Sequence, residues 1–142
     1  MCHLRSMRKI TTYIFLLIAF ISYGQENLLS DEIINSSGAN KVEFADGDEE
    51  IQKLAESDIE KEIPFLLLQG GVNQFVSPLD EKFEKKYKVY FYNYGCLAPS
   101  EKVESIYNEI IFEFLFLKYG KAWTKEIRKD IPGLMEFVKR KR

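Results

Sequence analysis

The chain has 142 residues, enough for one modest core and too few for two ordinary domains. Apolar residues at 46% and charged residues at 30% exclude a disordered polymer and a multi-span membrane protein. With 20 Lys plus Arg against 22 Asp plus Glu, the net charge of -2 provides no bulk cationic field, so no nucleic-acid partner is expected.

The N-terminus carries an address. Arg5, Arg8 and Lys9 precede an apolar run from Ile10 to Ile21, and Ser22-Tyr23-Gly24 follows with small residues at the two recognition positions. That is the pattern of a signal peptide cleaved near Gly24/Gln25. The run is too short to span a bilayer core as a helix, so no stable membrane span is expected once it is removed. Either Met1 or Met7 serves as a start, because Met7-Arg8-Lys9 already supplies the positive region. Cleavage removes His3 and Cys2 and leaves a mature chain of 118 residues with a net charge of -5 and no histidine. Export to the periplasm, the cell surface or the medium is therefore expected. Histidine-based hydrolases, zinc sites and general bases are excluded there.

Residues 25–40 are polar, with Asn35-Ser36-Ser37-Gly38 as a loop cluster, and predict a flexible lead-in with a short ordered piece over Leu28 to Ile34. A single globular domain is expected over residues 41–142. Alternation of Val42 and Phe44 predicts a short strand over Lys41 to Ala45. Asp46-Gly47-Asp48 turns the chain, and Asp48 is placed to cap a helix carrying Ile51, Leu54, Ala55 and Ile59, with Glu49 and Glu50 in its first turn. Pro64 stops it. Phe65-Leu66-Leu67-Leu68, bounded by Gly70-Gly71, has the continuous apolar character of a strand buried on both faces.

Ser77-Pro78 opens a second helix, an N-cap followed by proline at the first helical position, with Phe83 and Tyr87 as its inner stripe. Val89 to Tyr94 is rich in aromatic and β-branched residues and predicts a third strand ending at Gly95. Tyr90, Tyr92 and Tyr94 alternate on one face of it, either lining a groove or lying under helices. The longest helix follows Pro99-Ser100 and runs to Tyr119, closed by Gly120. Its expected core stripe is Val103, Tyr107, Ile110, Phe114 and Leu117. Another helix is expected over Lys121 to Asp130, and Pro132-Gly133 breaks it before a short tail helix. The order predicts an α/β (or α+β) fold with a small three-stranded parallel sheet, packing helices and a helical C-terminal end.

Phe83-Glu84-Lys85-Lys86-Tyr87, continuing through Val89 to Gly95-Cys96 and then Tyr119-Gly120-Lys121 and Trp123, resembles the FEKKY domain of small exported Bacteroidota proteins. The resemblance spans about Lys82 to Gly133. It implies a compact exported domain of uncharacterised function and brings no catalytic residues with it.

In an open parallel sheet ligands bind beyond the carboxyl ends of the strands. The expected loops there contain Asp46 and Asp48, then Gly70, Gly71 and Asn73, then Gly95 and Cys96. These are the candidate ligand-binding residues. Glycines let backbone amides approach a ligand, aspartates hold hard cations, and a thiol is a nucleophile or soft ligand. The competing explanation is ordinary turn and cap chemistry. Asp46, Asp48, Glu49 and Glu50 lack the ligand spacing of an EF-hand, so no metal site is assigned. Cys96 stands as buried, reactive or paired with another chain.

Apolar Phe112, Leu115 and Phe116 widen the hydrophobic surface of the long helix beyond one stripe. Either the following segment covers it, through Trp123, Ile127, Leu134 and Phe137, or a protein partner or second copy does, with Phe112 and Phe116 as contact residues. Charge is also uneven. Residues 25–81 carry a net -11 and residues 82–142 a net +6, so the halves attract one another or the basic end meets an anion. No nucleophile elbow, phosphate loop or CxxC appears, and no cofactor is expected. The reading is an exported binding or interaction module rather than an enzyme, with a small-ligand or metal binder at the strand-end loops, conceivably an enzyme using Cys96, as the alternative.

Overall fold

The computed structural model describes residues 29–70 and 77–142. The chain divides into two units, Met1–Ser30 and Asp31–Arg142, and every helix and strand among the described residues belongs to the second. The expected leader, its cleavage point, and the turn residues Gly71 and Asn73 lie outside the described residues.

The polar lead-in is ordered from Asp31. Helix α1 (Asp31–Ser36) and helix α2 (Gly38–Lys41) are followed by a 3-10 turn over Val42–Phe44. This replaces the expected first strand, and the described part of the lead-in is helical from Asp31. Ser37 caps α2 by accepting the Asn40 N–H, and the buried Asp58 carboxylate accepts the Gly38 and Ala39 N–H groups at 2.7 and 2.9 Å. Val42 is buried while Phe44 is 80% exposed, so the alternation over Lys41 to Ala45 never marked one buried face. The Ala45 N–H closes the turn on the Val42 carbonyl. Asp31–Arg142 forms one compact unit.

Helix α3 (Asp48–Glu60) buries Ile51, Ala55 and Asp58. Gly47, at φ 95°, occupies the N-cap position expected of Asp48. Strand β1 (Phe65–Leu68) follows Pro64 and is buried along its whole length. Helix α4 (Pro78–Tyr87) starts with a capping box in which the Ser77 hydroxyl and the Asp80 carboxylate each accept the other's backbone N–H. It leads into strand β2 (Tyr90–Asn93). The two strands pair in parallel, Phe65 beside Tyr90 and Leu68 beside Asn93, so among the described residues the sheet has two strands and not three.

A two-stranded sheet has two open edges, and side chains close both. On helix α5 (Glu101–Tyr119), Asn108 accepts the Leu67 N–H at 2.7 Å and donates its amide to the Leu67 carbonyl at 3.0 Å. It thus supplies the hydrogen bonds that a third strand would make. The preceding residue, Tyr107, takes a backbone bond from Phe65 and donates to Asp58 at 2.6 Å. Along β2, the Glu84 carboxylate accepts the Phe91 N–H at 2.8 Å. Hydrogen bonds to exposed strand edges are a way of keeping a small sheet from edge-to-edge pairing.

The buried face of α5 comprises Glu104, Tyr107, Asn108, Ile111, Phe112 and Leu115. Of the expected stripe only Tyr107 is fully buried; Val103, Ile110 and Phe114 are half-buried and Leu117 is 84% exposed. The polar Glu104 and Asn108 sit at inward positions and mask the true periodicity. Past Gly120, the chain forms only a 3-10 turn over Ala122–Lys125 before helix α6 (Leu134–Arg140). The longer helix expected there gives way to local bonds. The Thr124 hydroxyl donates to the Lys121 carbonyl, and Arg128 grips Asp130 with two bonds of 2.7 Å. Trp123, fully buried, stacks on Phe112 at 5.7 Å between ring centroids and lies 6.0 Å from Phe137.

Candidate functional site

The carboxyl end of the sheet is built by two close-packed turns. A Cβ on Gly70 would lie 2.2 Å from the Gly95 carbonyl and 2.8 Å from the Ala98 Cβ, so the turn after β1 touches the turn after β2 only because residue 70 has no side chain. Gly95 has φ 64°, and the Asn93 side chain accepts its N–H at 2.7 Å. Two of the expected loops are thereby brought together. Cys96 is exposed on this rim, which removes the buried alternative.

The third expected loop is placed differently. Asp46 and Asp48 are exposed at the start of α3, where Glu50 accepts the Asp46 N–H at 2.6 Å and Asp48 pairs with Lys102 of α5 at 3.2 Å. Among the described residues, no hydrogen bond or ion pair joins either aspartate to Gly70, Gly95 or Cys96. No group of three or more His, Cys, Asp or Glu able to hold a metal ion exists among the described residues. The two aspartates are turn and helix-start residues.

The group that sequence reasoning missed is Glu104. Its side chain is fully buried, and neither carboxylate oxygen has a hydrogen-bond partner. Burial, with a smaller push from Glu101, raises its pKa to about 7. It lies one helical turn before Asn108, which is bonded to β1, and it interacts electrostatically with Tyr94 at the end of β2. Tyr94 donates its hydroxyl to the Ala39 carbonyl, and burial holds that hydroxyl well above its ordinary pKa. Tyr92 donates to the Asn40 side chain at 2.7 Å. Both tyrosines bind the α2 backbone or its side chains instead of lining a groove. The available signal for Glu104 was its i, i+4 spacing to Asn108 and Phe112, which a search for apolar stripes passes over.

The expected partner face is largely covered. Phe112 is fully buried against Trp123 and Phe137, so it is not open to a partner. Phe116 is half-buried, with its ring 6.3 Å from Phe137 and the Lys141 ammonium 5.0 Å above it. Leu117 remains as the exposed apolar residue of that helix end.

The Phe83-Glu84-Lys85-Lys86-Tyr87 pentapeptide has structural work in at least four of its five positions. Phe83 is buried 5.7 Å from Phe91, Glu84 closes the β2 edge, and Lys86 and Tyr87 both bond to Glu126 at 2.8 and 3.0 Å. The architecture defines a small mixed domain with a two-stranded parallel sheet, and no helix among the described residues is long and apolar enough to cross a membrane. No protein-family model, no curated protein and no solved structure matches this chain.

Proposed function

We propose that the mature chain is an exported, non-catalytic binding module of the periplasm or cell surface that takes a small ligand at the carboxyl end of its sheet. The observation that supports this reading is the orphaned Glu104 carboxyl, which interacts electrostatically with Tyr94, the residue that precedes the Gly95 turn. A buried polar group left unpaired costs about 1–3 kcal/mol, a cost that apolar packing at position 104 would not incur. A ligand presenting an ammonium or amide N–H to that carboxyl recovers the lost interaction. Amines, amino sugars and peptide N-termini are the chemical class that fits. Gly95, whose side-chain position is open, supplies backbone that a ligand can approach closely, and Cys96 sits exposed at the rim. The FEKKY-like stretch belongs to the same proposal, supporting the exported address and contributing scaffold.

Thermal melting against such ligands tests the reading. A ligand at a hundred times its Kd stabilises the fold by about 2.7 kcal/mol, a rise in Tm of about 10 °C for a domain of this size. The rise is expected to vanish in Glu104→Gln and to persist in Cys96→Ala. A panel of amines and peptides that leaves Tm unmoved would sink the strand-end site.

A further inference from the structure

A second feature lies at the other end of the long helix, where α5, the Ala122–Lys125 turn and the end of α6 enclose a cleft of about 170 Å³. Its floor is apolar, formed by Phe116, Phe137 and Val138. Lys121, Lys125, Lys141 and Arg142 line its rim, and among the described residues no Asp or Glu side chain does. Lys141 is committed to Glu113 at 2.8 Å and lies over the Phe116 and Phe137 rings. Lys121, Lys125 and Arg142 have no ion pair among the described residues.

Cations at the end of α6 alone would be accounted for by the negative pole of that helix. Lys121 and Lys125 belong to a different segment, so two separate stretches of chain bring uncompensated positive charge to one apolar opening. The residual repulsion is relieved by an anion, and the floor offers room on the scale of the ~150 Å³ cavity known to hold benzene. We propose that this cleft binds an amphiphilic organic anion, an aryl or short acyl phosphate, carboxylate or sulfonate. Its apolar part rests on Phe116, Phe137 and Val138, and its head is held by Lys121, Lys125 and Arg142. Such a head on an apolar body belongs equally to a soluble acid and to an anionic lipid.

Trp123 is the sole tryptophan of the chain and lies 6.0 Å from the Phe137 ring, so its fluorescence reports on the floor of the cleft. Full-length protein is titrated with hexyl phosphate and phenyl phosphate, and with inorganic phosphate and hexanol as head-only and tail-only probes. Saturable binding of the two amphiphiles is expected, weakened about tenfold by high salt. Each single-feature probe should bind at least about tenfold more weakly. Charge reversal of the exposed pair, Lys121→Glu with Lys125→Glu, should cost about tenfold in affinity, while Lys53→Glu on α3 changes nothing. Phosphatidylglycerol vesicles separate the sources: binding to them that hexyl phosphate displaces points to lipid, and its absence alongside tight soluble binding points to a free acid. No saturable response to either amphiphile overturns the proposal, as does equal affinity for inorganic phosphate. Retained affinity in a folded double reversal overturns it too. Should that variant fail to fold, the probe comparison and salt dependence on the unaltered protein decide it.

Discussion

Glu104 sets the most direct test at the residue scale. Its carboxyl titrates near pH 7 in the fold against an ordinary value of 4.5, because burial disfavours the charged form. Between those values the folded chain holds a proton that the unfolded chain has released. Stability is therefore fully present below pH 4.5, falls as pH rises toward 7, and levels off above it. In Glu104→Gln that part of the pH dependence should disappear, so the gap between wild-type Tm at pH 5 and at pH 8 narrows in the variant. An identical pH profile in both proteins would mean that Glu104 is ionised throughout. The neighbouring Asp58 differs, because its two oxygens accept from Gly38, Ala39 and Tyr107. Its satisfied bonds make it a framework residue, whereas both Glu104 oxygens stay without a hydrogen-bond partner.

The element scale turns on α5, which ends the sheet and carries the core. Asn108→Ala removes the amide that serves the Leu67 N–H and carbonyl and reaches the Pro132 carbonyl at 3.2 Å. With those groups buried and unpaired, a loss of about 3 kcal/mol is expected in chemical denaturation. A loss under about 0.5 kcal/mol would mean that water or backbone rearrangement replaces the bonds. The corrected phase of the helix makes a paired prediction. Phe112→Ala should cost about 3–5 kcal/mol as a core truncation, while the exposed Leu117→Ala stays within about 0.5 kcal/mol. The reverse ranking would restore the stripe expected from periodicity. Helical spacing was legible in this segment, but its rotation was not, since Glu104 and Asn108 face inward for reasons that lie on β1 and β2.

For the whole molecule, the uneven charge is partly resolved inside the domain. Asp48 with Lys102 at 3.2 Å and Asp80 with Arg128 at 3.3 Å join the acidic stretch to the basic one. Exposed pairs of the first kind add at most about 1 kcal/mol. The rim of the C-terminal cleft keeps its surplus of positive charge. The proposed export is tested by the mass of the product recovered outside the cytoplasm, which should begin at Gln25; a product retaining residues 1–24 would contradict cleavage.

Local chemistry was enough to reveal the parallel pair of strands, the Ser77 and Ser100 caps, the long helix and its Gly120 stop, since each follows from residue type and near-neighbour spacing. Three matters depended on contacts between distant residues. Asp58 reaches across 20 positions to anchor α2 and turns an apparent loop into helix. Asn108 reaches across 41 to stand in for the missing third strand. Glu104 is fully buried with both oxygens unpaired, which its own segment does not reveal. Periodicity assigns a face to a residue from its own segment, whereas burial of a polar group is decided by whatever partner the rest of the chain brings to it.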